Sequence, residues 1–351
     1  MLNAKRVNRI TVVSLSRGIL GESFVRHELG IGVKRLESYG IEVCFSEHAK
    51  KGIEYIEAHP EKRAEDLLTA FKSDTDMILC SVGGDDTYRL LPFLFEHDEL
   101  KNAVSDKVFL GFSDTTMNHF MLHKVGLKTF YGQAFLPDIC ELAQEMLPYT
   151  RHYFEELIQT GTISKITPSK VWYDSREDYS VSAVGTSMPS HPNEGFVLLQ
   201  GDASFEGEIL GGCIDTIYDM FDNQRYADSA EMCKRYGLFP EMDDWKSKIL
   251  LLESSEEKAS PEKYRKMLEV LKEQGLFGVI RGVLVGKPYN EVYFDEYNAI
   301  LKQVISDPDL PVVVNVNVGH AIPRCIIPLG VHAKVDTGKQ EIVFGGEGNA
   351  V

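Results

Sequence analysis

The chain contains no C-x-x-C pair. Its six cysteines, Cys44, Cys80, Cys140, Cys213, Cys233 and Cys325, are scattered singly, which argues against a zinc knuckle and against the disulfide framework of a small secreted domain. Positive charge is also scarce. Lysine and arginine total 37 against 53 aspartates and glutamates, for a formal net charge of −16. A nucleic-acid polymer needs a basic surface to displace its counterions, so none is expected as a partner; a small anion stays open. No run is long and apolar enough to span a bilayer, and no membrane partner is expected. The start, MLNAKRVNRITVVSLS, passes into a strand-like stretch without the apolar core and cleavage site of a secretory signal. These absences fit reduced thiols in a cytoplasmic setting. Missing too are the lysine of a P-loop, the G-x-G-x-x-G spacing of a dinucleotide site, and the glutamate that HFMLH (119–123) needs to be a zinc-protease helix.

What is present is an ordinary folded composition, 43% hydrophobic and 26% charged over 351 residues. That length exceeds what one core usually serves, so two domains are expected. Residues 1–160 alternate strand-like and helix-like segments, from RITVVSLS through TDMILCSVGG to KVFLGFS. Such alternation predicts an α/β domain with a parallel, Rossmann-like sheet covered on both faces. Residues 161–190 are rich in Ser, Thr, Pro and Gly without periodicity, and read as an interdomain loop or linker. Residues 191–351 carry short strands, few helices and a hairpin-like IIPLGVHAKVDTGKQEIVF, which predicts a smaller, β-rich mixed domain.

In parallel sheets ligands bind beyond the carboxyl ends of the strands. SVGGDD (81–86) and GFSDTT (111–116) both begin there, so Gly83, Gly84 and Ser113 share one rim. Ser113 has two readings. It is the N-cap of the helix that follows, or the serine of a nucleophile elbow whose hydroxyl is exposed at a helix N-terminus. Thr115 stands where the usual elbow has its second glycine. A serine nucleophile needs a base and an acid that orients the base. Of ten histidines, His320 is distinctive because it follows the apolar PVVVNVNVG. As a base it must be neutral, so kcat/KM is expected to rise through the ordinary histidine range near ~6.5, moved by the local shift that its surroundings impose. Glu253 ends a run of leucines in KILLLESSEE, where a carboxylate must be paired or solvated. Asp215 and Asp336 are its rivals.

Taken together and in order, SVGGDDTYRLLP, GFSDTT, NEGFVLLQGDASFEGEILGGCIDTI, KILLLESSEE and NVGH with IIPLGVHAKVD resemble the LD-carboxypeptidase family of serine peptidases across nearly the whole chain. The resemblance implies a parallel α/β domain joined to a β-rich one, a homodimer, and no cofactor or metal. It implies a Ser-Glu-His triad of Ser113, Glu253 and His320, with the N–H groups of Gly84 and Asp114 as the oxyanion hole. TFYGQAF and the aromatic pair Trp172 and Tyr173 bring the chain nearer the microcin C self-immunity branch. Members of that branch cut the amide between an aminoacyl group and a nucleotide analogue, whereas other members trim a terminal D-alanine from muropeptides. The expected partner is thus a small peptide or an aminoacyl-nucleotide, with Gly83, Trp172 and Cys213 as candidate substrate contacts. Cys213 replaces the family's usual asparagine, and Ser254 stands where an acidic residue usually follows the glutamate. A non-catalytic protein that holds a small anion at the Gly83–Gly84 loop and the Ser113 helix is the alternative of another class.

Overall fold

A computed structural model describes residues 5–345. Five short strands, all but the edge strand β2 mostly buried, pair in parallel to build the first sheet: β1 (Arg9–Val13), β2 (Glu42–Phe45), β3 (Met77–Cys80), β4 (Val108–Gly111) and β5 (Thr129–Tyr131). Their near-continuous apolar runs, such as MILC and VFLG, suit a sheet covered on both faces. The helices Arg26–Ser38, Pro60–Lys72 and Thr116–Lys124 lie between its strands in sequence. This is the parallel α/β sheet that the sequence predicts.

The segment expected as a linker contributes β6 (Lys165–Ile166) and a hairpin of β7 (Val171–Tyr173) with β8 (Ser190–Pro192). Next come β9 (Val197–Gln200), β10 (Ser204–Cys213), β11 (Lys248–Glu253), β12 (Gly282–Gly286), β13 (Val312–Val316), β14 (Ile327–Leu329), β15 (His332–Asp336) and β16 (Glu341–Phe344). The second sheet runs β6-β16-β15-β10-β11-β12-β13-β9. Strands β10 to β13 are parallel and the flanking pairs antiparallel, so it is a mixed, β-rich sheet, as expected.

One expectation about the C-terminal hairpin needs correction. Strands β15 and β16 do form it, but IIPLG does not belong to it. Instead β14 crosses to the first sheet and pairs antiparallel with β5, Ile327 opposite Tyr131. The exposed edge of β5 accepts any strand of matching reach, and nothing local in the sequence marks which one. The core is shared in the same way. One buried cluster joins Phe109 and Met117 to Leu250 and Val283, and another joins Leu110 and Phe130 to Leu251 and Leu284. Among the described residues no helix is long and apolar enough to cross a membrane.

Candidate active site

Ser113 sits immediately beyond β4 at φ +66°, a left-handed conformation that costs a residue with a side chain. The N-cap of the short 3-10 turn Ser113–Thr115 is Phe112, and that of the helix Thr116–Lys124 is Thr115, so Ser113 caps neither. The N-cap reading therefore fails, and the strained turn aims the hydroxyl outward as an elbow does. Gly111 supplies the space this turn needs: a Cβ there would lie 2.5 Å from Cγ2 of Thr115, the residue that occupies the usual glycine position. Below the elbow, buried His119 donates from Nε2 to the Gly111 carbonyl at 3.1 Å and meets Thr129 Oγ1 at 2.7 Å through Nδ1. Burial pulls it down to about 4, so it is a neutral packing residue.

The second sheet delivers the acid and the histidine. Glu253 is the last residue of β11 and is 1% exposed. His320 follows β13 in a loop turned at Gly319, whose φ is +86°. A Cβ at Gly319 would lie 2.3 Å from Glu253 Oε2, so only glycine lets this loop close on the carboxylate. The contacts then run in one line. Ser113 Oγ is 3.0 Å from His320 Nε2, and His320 Nδ1 is 2.7 Å from Glu253 Oε2, which also accepts the His320 backbone N–H at 3.2 Å. Arg324 holds the loop by donating to the His320 and Gly319 carbonyls while pairing with buried Asp138 at 2.9 Å. Phe112 meets the imidazole edge-on, with centroids 5.1 Å apart.

Two further residues act here that the sequence reading left without a role. Tyr131, buried at the end of β5, donates to Glu253 Oε1 at 2.5 Å and accepts the Ser113 N–H at 3.1 Å. Glu256 places Oε2 3.0 Å from His320 Nε2, the nitrogen that also faces Ser113. Burial alone lowers a histidine, yet Glu253 and Glu256 outweigh it and push His320 up to about 10. The bond to His320 in turn holds Glu256 down at about 2. The local shift on this histidine is thus upward from the ordinary range. The signal for Glu256 was only a charge run, ESSEE, which usually reads as a solvated surface.

The other candidates lie as follows. Asp114 is buried, and its Oδ2 accepts from Ser16 Oγ (2.6 Å), Thr87 N (3.0 Å) and Thr87 Oγ1 (2.6 Å), tying the elbow to the glycine loop. Gly83 lies against Ser113, since a Cβ on it would be 2.6 Å from Ser113 Oγ and 3.3 Å from the Asp114 nitrogen. Gly84 has φ +157°. Among the described residues neither the Gly84 nor the Asp114 N–H is taken by a loop or turn hydrogen bond. Cys213 faces Glu253 across β10 and β11 and is 1% exposed. Its sulfur lies 3.8 Å from Asp215 Oδ2. Cys213, Glu253 and His320 bring one possible ligand atom each within 4.8 Å of one another. Burial and the nearby Glu253 hold that thiol well above its ordinary range, and the carboxylate and imidazole already bind each other, so the donor set does not fit a metal. Asp215 is a neighbour that caps Ser255 N at 3.0 Å, and Asp336 pairs with Lys339 at 3.5 Å; neither touches His320 in the manner of Glu253. Trp172 is 8% exposed, and His191 stacks on it with centroids 4.2 Å apart. The adjacent Tyr173 N–H donates to the Ile322 carbonyl at 2.9 Å, so this hairpin abuts the His320 loop.

Comparison with known proteins agrees along the chain. Residues 10–132 match the model of the LD-carboxypeptidase N-terminal domain and residues 206–335 that of the LD-carboxypeptidase C-terminal domain. An MccF-like protein from Streptococcus pneumoniae, solved in complex with AMP, is 59% identical, with 97% of this chain and 99% of that one covered at a TM-score of 0.96. The microcin C7 self-immunity protein MccF of Escherichia coli is 23% identical over 89% of this chain and 86% of its own length. A Bacillus subtilis protein named "Probable murein peptide carboxypeptidase" is 24% identical over 88% and 84%.

Proposed function

The chain belongs to the LD-carboxypeptidase family and is a peptidase, and from that premise we propose that it hydrolyses a carboxamide in an aminoacyl-nucleotide or similar small peptide-like substrate, using Ser113, His320 and Glu253. The observation that carries this reading is the unbroken line from Ser113 Oγ through the imidazole to Glu253, at 3.0 and 2.7 Å. Neutral His320 takes the Ser113 proton at Nε2, and the alkoxide attacks the carbonyl carbon. The N–H groups of Gly84 and Asp114 receive the tetrahedral oxyanion. Glu253 keeps Nδ1–H oriented and balances the imidazolium, which then gives its proton to the leaving nitrogen. Water enters by the same route and frees the acyl group as a carboxylic acid.

AMP in the S. pneumoniae relative supports a nucleotide on the leaving side. Trp172 is the ring proposed to stack on that base; in the present conformation His191 occupies its face and must give way. The B. subtilis relative keeps a muropeptide as the second reading. Six unpaired cysteines suit a reducing, cytoplasmic compartment, and a homodimer is the proposed assembly. The test is product analysis of the purified protein offered an aminoacyl sulfamoyl adenosine and a muropeptide tetrapeptide. Cleavage of the first, lost in Ser113→Ala, is expected. A non-catalytic anion-binding protein would cut neither and would leave Ser113 unlabelled by a serine-acylating reagent.

A further inference from the structure

His320 Nε2 faces two oxygens at once, Ser113 Oγ and Glu256 Oε2, each at 3.0 Å. A ring nitrogen carries one hydrogen or one lone pair, never both. Neutral His320, with Nδ1–H given to Glu253, has a lone pair at Nε2 that accepts the serine proton and has nothing to offer a carboxylate. The imidazolium has an Nε2–H that Glu256 takes and that cannot deprotonate serine. Glu256 and Ser113 therefore compete for the same nitrogen, and Glu256 favours the inactive form. The other charged groups facing this ring do not remove the conflict. Glu253 holds Nδ1, Asp215 adds negative charge at longer range, and the Arg324 guanidinium is spent on Asp138 and two carbonyls.

For turnover Glu256 must leave Nε2. Its side chain is 60% exposed, so it is free to swing. The nearby Arg225 is already committed, holding Glu257, Asp219 and Asp85 at 2.7, 3.3 and 3.4 Å. Among the described residues the ion pair of Glu256 is with His320. A substrate entering the site strips water from this carboxylate, and an unpaired, desolvated carboxylate is costly. A cation carried by the substrate would replace the one it leaves. In an aminoacyl amide the α-nitrogen is attached to the carbon next to the carbonyl under attack, which puts it beside Ser113 Oγ and His320 Nε2.

We propose that Glu256 is a specificity-determining residue: it accepts the free α-ammonium of the substrate's acyl residue, and in moving to that cation it releases His320 Nε2 to take the Ser113 proton. The proton formerly on Nε2 passes to water, helped by repulsion from the incoming ammonium. This assignment rests on the peptidase reading above and sorts its two substrate classes. A muropeptide whose scissile acyl residue already has its α-nitrogen in a peptide bond offers no cation at that place.

The experiment compares an aminoacyl sulfamoyl adenosine with its N-acetyl derivative, on the wild-type protein and on Glu256→Gln. Wild type is expected to prefer the free amine by about ten- to a hundredfold in kcat/KM, the range of a hydrogen bond to a charged group. In Glu256→Gln the preference should shrink to a few-fold, because the bulk of the acetyl group acts alike in both proteins. The acid limb of kcat/KM should also move to lower pH. An undiminished preference in Glu256→Gln, an unmoved acid limb, or equal cleavage of both compounds by wild type overturns the assignment of Glu256 alone. Cleavage of neither, with Ser113 unlabelled by an acylating reagent, overturns the peptidase reading and this proposal with it.

Discussion

Tyr131 binds Glu253 and the Ser113 backbone at the same time, with its phenol oxygen 2.5 Å from Glu253 Oε1 and 3.1 Å from the Ser113 nitrogen. The carboxylate proposed to orient His320 is therefore fixed to the turn that presents Ser113. Two strands from different sheets, β5 and β11, are joined by one hydroxyl group.

Tyr131→Phe removes that hydroxyl and keeps the buried ring. Hydrogen bonds to charged groups contribute about 1.5–3 kcal/mol, so kcat should fall about ten- to a hundredfold. KM should change little, because Tyr131 is fully buried. Steady-state kinetics on folded protein measure this, and a kcat within twofold of wild type would sink it.

The pH dependence follows from sign. His320 must lose its proton to act as base, and in the free protein its two carboxylate partners push it up to about 10. The expected kcat/KM profile therefore keeps climbing well above the ordinary histidine range of about 6.5. Because kcat reports the bound enzyme, its limb should lie lower once Glu256 has turned to the substrate. The same charged contacts stabilise the fold below the ordinary range, and that contribution is lost as pH rises through about 10. A profile already flat above about 6.5 would contradict the assignment.

Gly83→Ala tests how closely the glycine loop guards the nucleophile. The added carbon would lie 2.6 Å from both Cβ and Oγ of Ser113, so the serine must shift. A displacement of about 1 Å can cost a hundredfold in rate, and at least a tenfold loss is expected while the melting temperature changes little. Gly30→Ala is the control, since an added Cβ there meets nothing within 4 Å and, inside a helix, should stabilise by up to about 1 kcal/mol.

Those positions also mark how far the sequence carries. Each triad residue ends or follows an apolar strand, so Ser113, Glu253 and His320 were legible as three chemistries delivered to strand ends. The left-handed turn at Ser113 was not, because no residue type announces a positive φ outside glycine. Tyr131 looked like one more aromatic in a buried strand, and Glu256 like surface charge; both depend on pairings across more than sixty residues. The helix Phe294–Ile305 was missed although Tyr297, Ile300, Leu301 and Val304 carry its buried face at helical spacing. The parallel sheet, by contrast, follows from local alternation alone.

Trp172 and His191 separate the two ring roles. If a base stacks on Trp172, then His191→Ala uncovers the ring and should lower KM for an aminoacyl-nucleotide. Trp172→Ala should raise that KM about ten- to a hundredfold, by analogy with base stacking on aromatic residues at roughly 1–3 kcal/mol. Muropeptide turnover should respond to neither. Equal losses on both substrates with a lowered melting temperature would mean that the pair only packs the hairpin.

The return of β14 to the first sheet has a consequence for the order in which the enzyme comes into being. As the chain is made, nucleophile and glycine loop emerge early, yet β5 keeps an open edge until Ile327–Leu329 arrives, and the imidazole at position 320 is carried on the loop just ahead of that strand. The base and the strand that seals the sheet are thus delivered by the same late stretch of polypeptide. On the proposed triad, a nascent chain halted anywhere before it holds Ser113 without its proton acceptor. On that reading, completion of the sheet and the arrival of the base become one event.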